Sequence, residues 1–257
     1  MTLEQLEDLI IEDWTWRKTE ISKLILIAED KEEDVVLKSI ILLLYSHWEG
    51  YIKKSSRVYL KFICNTNSKI GELSDNFKAV ALKGVTKGIM FASETLTLQN
   101  ELDYIKKFNK VETHKLSHHV SIDLTNDRDS SIINTNQNLN SKVLKNILDV
   151  LGLNYKDAYE AKKMYIGEHL LANRNSIGHG NRVLASANDF SLEINKIKKL
   201  RDIIFSIVES LQEEMIEYCK ESYFLKQNQG NAAAFLAQKE AELLSVFNDI
   251  DTRYTNE

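Results

Sequence analysis

Ile40-Ile41-Leu42-Leu43-Leu44-Tyr45-Ser46-His47-Trp48-Glu49-Gly50-Tyr51 is apolar on every side of a helix over its first half. A helix without a polar face has to be surrounded by others, so a segment from near Glu33 to about Ile63 is expected to be the central helix of a bundle. Its second half breaks that pattern. His47, Glu49 and Gly50 are poor choices for a buried helix, because an ionisable group taken from water is costly unless it is paired. Two explanations follow: a functional site, or a structural ion pair in which Glu49 meets a core cation such as Arg17 while Gly50 permits close helix packing.

Outward from this helix the period remains helical. Leu3, Leu6, Ile10, Trp14, Arg17, Ile21, Leu24 and Ala28 recur at steps of three and four, with Arg17 the only charged member of the stripe. Ser141 is expected to cap a helix over Lys142 to Val150, with Gly152 past its end in a left-handed conformation. The next helix should run from about Asp157 to Ile177, and the last long one from about Asp189 to Tyr223. The latter carries Ile197, Leu200, Ile204, Ile207, Leu211, Met215 and Tyr218 at near-heptad spacing, which suits a bundle or a partner helix. The 257 residues contain no proline and only 9 glycines, so helix breakers are almost absent. The expected fold is all-α. Residues 65–140 give weaker signals, with short helical patterns over Leu73 to Leu82 and Leu102 to Phe108, and are treated as a variable insertion. His119 to Leu124 alternates like a strand and suits a small hairpin. The helical domain is placed at 1–225, with Gln227 to Asn231 as a hinge and 226–257 as a peripheral C-terminal helix and tail.

Composition excludes several classes. A formal charge of −5 gives no general attraction to nucleic acid, so such binding would need local patches. Cys64 and Cys219 make neither a disulfide framework nor a metal quartet. The N-terminal Met1-Thr2-Leu3-Glu4 leads into an acidic amphipathic segment rather than a signal peptide, and the longest apolar run is far short of the ~20 residues that cross a bilayer. A cytoplasmic protein without a membrane partner is expected. Glycine loops for nucleotides and a Gly-x-Ser-x-Gly elbow are missing.

The richest chemistry lies in Arg174-Asn175-Ser176-Ile177-Gly178-His179-Gly180. Arg forks onto phosphate oxygens, His exchanges a proton near neutral pH, and Asn can orient either. On a regular helix Asn175 and His179 share a face, whereas Arg174 and His179 diverge by roughly 140°. Either the flanking glycines swing His179 round, or a second subunit completes the site across a twofold axis. The same residues also fit a plain helix C-terminus with a late His at its negative end. His114, His118 and His119 offer a zinc-like spacing but lack the Glu of a His-Glu-x-x-His helix. Basic clusters occur at Lys53-Lys54-Arg57-Lys61, Lys106-Lys107-Lys110-Lys115 and Lys196-Lys198-Lys199-Arg201. The first begins one turn after Glu49 and could extend a phosphate-binding surface, while a solvated helix face explains any of them.

Together these segments resemble the HEPN superfamily (higher eukaryote and prokaryote nucleotide binding). Arg174 to Gly180 matches its Arg-polar-x3-His signature, and Leu42 to Lys53 together with Asn136-Gln137-Asn138-Leu139 resembles one prokaryotic branch of predicted HEPN nucleases, over about Trp16 to Tyr218. The resemblance implies a helical bundle that dimerises and cuts RNA without metal or other cofactor. His179 would then act as general base or acid, Arg174 would stabilise charge on the scissile phosphate, Asn175 would orient His179, and Glu49 and His47 would support them. Lys53, Lys54, Arg57 and Arg182 would contact RNA. Attack by the ribose 2′-hydroxyl would leave a cyclic phosphate. The implied setting is a toxin or antiphage effector, restrained by an antitoxin or another defence partner. HEPN toxins modified with AMP carry Tyr two residues after the motif His, where this chain has Asn181, so that route of inhibition is not expected. The alternative is a non-catalytic HEPN-like dimer that binds RNA, a nucleotide or a partner protein.

Overall fold

The computed structural model describes residues 1–31, 33–90, 97–126, 129–136, 138–180 and 192–255. Among them every regular element is helical, and the only β-type pairings are isolated bridges between Lys69 and Lys115 and between Leu73 and Leu225. The strand-like alternation over His119 to Leu124 forms no hairpin there; Val120 and Ile122 instead bury their side chains singly while the loop carries no ladder.

Helix α1 (Leu3–Asp30) is started by a reciprocal cap, in which Thr2 Oγ1 accepts from Gln5 N–H and Gln5 Oε1 accepts from Thr2 N–H. It packs on α2 (Asp34–Asn65), the long central helix, and both pack on α8 (Ile194–Lys220). The three meet at Trp14, whose ring lies 5.1 Å from Tyr51 of α2 and 5.1 Å from Phe205 of α8. The near-heptad stripe Ile197, Leu200, Ile204, Ile207, Leu211 and Met215 is buried in this core. Central α2 is most enclosed lower down than its apolar run, with all of Ser55 to Leu60 buried.

The intervening segment holds α3 (Asp75–Met90) and α4 (Gln99–Glu112), then a loop leading to α5 (Ser141–Leu151). Asn140, rather than Ser141, caps α5: its Oδ1 accepts from Val143 N–H at 3.0 Å, and Ser141 is already the first helical residue. Gly152 ends α5 at φ +72°, where a side chain would also strike Asn76.

The helix expected over Asp157 to Ile177 is present and extends to Gly178, with a π-type turn inside it. It consists of α6 (Asp157–Ile166), one π-type turn (Gly167–Ala172) and α7 (Asn173–Gly178). A widened turn leaves carbonyls without their usual donors. The buried Asn173 amide answers two of them, donating to His169 O at 2.9 Å and Glu168 O at 3.3 Å. Helix α9 (Ala232–Thr255) lies against α8 and α6 through Leu243, Phe247 and Ile250. Glu240 Oε1 accepts from Ala158 N–H at 2.7 Å, capping α6, and Asp251 pairs with Lys162 and Lys199.

Candidate active site

Helix α7 follows the π-type turn and packs on α2, and Arg174 is its second residue. Its guanidinium lies over the Tyr45 ring, 4.3 Å from the centroid, and Nη1 donates to Asn175 Oδ1 at 2.8 Å. A permanent cation on an aromatic face is held in place. Tyr45 is itself fixed, since its hydroxyl oxygen accepts from Leu139 N–H at 2.9 Å. Burial pushes the Tyr45 hydroxyl up to about 12; the Leu139 N–H and Arg174 oppose the rise and Glu49 adds to it. Tyr45 is therefore a neutral phenol at physiological pH, facing Glu49 with a proton to donate.

Arg174 lines one wall of an open cleft of about 920 Å³, across from Ser46, Glu49, Gly50 and Lys53 of α2 and beside Ser130 and Asn134 to Asn136. Thr135 donates its hydroxyl proton to Glu49 Oε1. Cation, carboxylate, amides and hydroxyls thus surround a space open to solvent. Such a set can bind a phosphate at Arg174 and hydrogen-bond the sugar or base attached to it.

This cleft gathers only part of the predicted group. Glu49, Lys53 and Arg174 line it together. Asn175 turns its carbonyl oxygen to Arg174, where an orienting contact with His179 was expected. His179 follows the last residue of α7 and is exposed, and its imidazole has no hydrogen-bond partner among the described residues. Gly180 takes φ +75° immediately after it, so the helix does loosen at the glycines. His47 faces the other way, because residues two apart on a helix point about 160° apart. It is buried against α1, between Arg17 Nη1 at 3.3 Å and Glu20 Oε2 at 3.0 Å.

Of the two explanations for the polar residues of α2, the pairing of Glu49 with a core cation such as Arg17 does not form: Arg17 meets Asp13 at 2.9 Å, and Glu49 accepts from Thr135. Lys54 lies in a second cleft that adjoins the first. Arg57, expected at the RNA surface, is only 3% exposed and spends its guanidinium on the backbone oxygens of Asp123 and Asn126, holding that loop on α2. Arg182 lies outside the described residues.

The comparisons with known proteins add the family. A model for HEPN domains of the MAE_28990-like type matches residues 6–224. The chain belongs to the HEPN superfamily. A HEPN domain supports a module of the nuclease or nucleotide-binding type, which agrees in kind with a cleft built around a held arginine. No curated protein and no solved structure matches the chain. Within this HEPN chain no helix of the described residues is long and apolar enough to cross a membrane. His114, His118 and His119 do cluster, with His114 Nδ1 3.1 Å from His119 Nε2, yet among the described residues no three His, Cys, Asp or Glu side chains are arranged to hold a metal ion.

Sequence inspection missed the far wall of the HEPN cleft. Ser130, Asn134 and Thr135 belong to the weakly patterned stretch 65–140, and Tyr45 closes the apolar run of α2. Asn136 adopts φ +51°, uncommon outside glycine, and the run Asn134-Thr135-Asn136 was the available signal for a tight polar loop.

Proposed function

We propose that this HEPN chain is a metal-independent endoribonuclease that works as a homodimer. The observation that carries the proposal is the Arg174 guanidinium, stacked on Tyr45 at the edge of an open polar cleft with its other wall on α2. In the proposed step Arg174 holds the scissile phosphate. The ribose 2′-oxygen attacks phosphorus as its proton passes to the His179 of the second copy, and the bond to the 5′-oxygen breaks as that oxygen takes a proton from water, whose hydroxide the protonated His179 then neutralises. The products are a 2′,3′-cyclic phosphate and a 5′-hydroxyl, with no metal required to balance the reaction. Exposed His179, five residues beyond Arg174, suits a group completed by another copy. A toxin or defence setting, with an antitoxin or other partner as restraint, rests on family analogy.

Purified protein incubated with total RNA should cleave it in the presence of EDTA, and Arg174→Ala and His179→Ala should each lower the rate by at least about a hundredfold. Activity abolished by EDTA, or undiminished in both variants, would overturn the proposal. One observation favours a second function: Asn175 is engaged with Arg174 and leaves His179 without a partner among the described residues, as a binding-only HEPN module would tolerate. RNA retained by both the native chain and His179→Ala, with no cleavage by either, would establish that role.

A further inference from the structure

We infer that Trp16 is a base-stacking platform which, with Lys53 and Lys54, binds the nucleotide adjoining the one at Arg174 on a single-stranded RNA. The inference rests on the RNA-binding role of the Arg174 cleft proposed above, and extends that cleft onto α1.

Trp16 is 43% exposed, yet its ring is held from three directions. Its Nε1–H points to Asp13 Oδ1 at 3.4 Å, the Arg17 guanidinium lies 4.5 Å from the ring centroid, and the buried His47 ring stands edge-on at 5.0 Å. Arg17 is fixed in turn by Asp13 Oδ2 at 2.9 Å and by His47 Nδ1 at 3.3 Å. An exposed side chain without a ligand normally keeps its rotamer freedom. Holding a large aromatic in one pose beforehand lowers the ordering cost of binding a flat partner.

Gly50 makes the arrangement possible. A Cβ at that position would sit 2.7 Å from Arg17 Nη1, so the missing side chain is what lets Arg17 lie across α2. The anomalous His47 and Gly50 of α2 are thereby explained by what they support on α1.

The ring stands in a cleft of about 370 Å³ lined by Asp13, Trp16, Arg17, Lys53, Lys54 and Arg57, with Gly50 in its floor. Gly50 and Lys53 also line the Arg174 cleft, so the two are continuous across the surface of α2. Asp13 is neutralised by Arg17 and does not oppose a phosphate. Cations beside an exposed aromatic ring, continuous with a phosphate-binding cleft, match a strand whose charges alternate with unstacked bases. A duplex keeps its bases stacked on one another and cannot offer one to Trp16. An apolar partner protein would find charged side chains around the ring.

The test uses the full chain with His179→Ala, to suppress cleavage, and fluorescence anisotropy of a labelled single-stranded RNA and of the same sequence as a duplex. Trp16→Ala should weaken single-strand binding about tenfold or more, Trp16→Phe should weaken it less, and duplex binding should change little. Unchanged single-strand affinity in Trp16→Ala would overturn the inference while leaving Arg174-dependent cleavage intact. So would equal losses for single strand and duplex, or a loss that tracks a changed oligomeric mass or a lowered melting temperature. Weaker single-strand binding in Trp16→Ala, in a chain whose native form never cleaves RNA, would sustain the platform and sink only the nuclease. No RNA binding by the parent chain would overturn both.

Discussion

His47 has its Nδ1 3.3 Å from the Arg17 guanidinium, which can only donate, so the neutral tautomer carries its proton on Nε2 and gives it to Glu20. Burial lowers the His47 pKa and the Arg17 charge lowers it further, and these outweigh Glu20, which is half exposed and screened by water. Stability then has a definite pH dependence. The unfolded chain takes up a proton as pH falls through about 6.5, while the folded chain resists it, so the unfolded state binds more protons and stability falls. The native chain should show a lower urea midpoint at about pH 5.5 than at about pH 7.5, and His47→Gln should reduce that difference. A difference undiminished in His47→Gln would assign the effect to other groups. Sequence singles out His47 and Glu49 as polar residues in a helix that should be buried, but not their partners. Whether Arg17 meets His47 or Glu49 is decided by the rotation of α1 against α2, which helical periodicity does not specify.

At the scale of elements, α1, α2 and α8 were legible because their apolar stripes are long, and Trp14, Tyr51 and Phe205 lie where those stripes converge. The π-type turn was not, since a shift from i+4 to i+5 hydrogen bonding over one turn barely alters an apolar period. Another hidden device is Lys156, fully buried at the entry to α6, which donates to Glu214 of α8 and to Tyr159 OH at 3.0 Å. Burial alone would lower the Lys156 pKa, but Tyr159 and Glu214 outweigh it and raise it, so the ammonium stays charged. Glu214 also accepts from Asn154 N–H at 3.0 Å, tying the α5–α6 turn to the same point. Removing one partner strands the other without water. Lys156→Met should cost about 3–5 kcal/mol in urea unfolding, whereas Lys156→Met with Glu214→Met should recover much of it. A double variant no more stable than the single one would show that the pair is needed for more than its own neutralisation.

For the whole molecule, the decisive question is how His179 joins Arg174. Within one chain Arg174, Glu49, Thr135 and Lys53 line one cleft, while exposed His179 lies beyond the end of α7. Sequence geometry set the two about 140° apart on a regular helix. The helix runs through Gly178 and loosens at His179, whose ψ is 4°, and at Gly180, so the residues between Arg174 and His179 keep helical geometry. If two copies share one reaction centre across a twofold axis, each contributes an Arg174 and a His179, and a mixed dimer keeps one intact residue of each kind. Arg174→Ala and His179→Ala, each inactive alone, should then regain RNA cleavage when mixed and allowed to exchange subunits. The regained rate should rise with total protein concentration until the mixed dimer saturates, and light scattering should report twice the chain mass over the same range. If the mixture stays as inactive as its components while subunit exchange is confirmed, each cleft must use its own pair. His179 would then have to reach Arg174 by movement of the Gly178-His179-Gly180 end, and substituting Gly180 with Ala, which resists its φ of +75°, should abolish cleavage without altering the dimer.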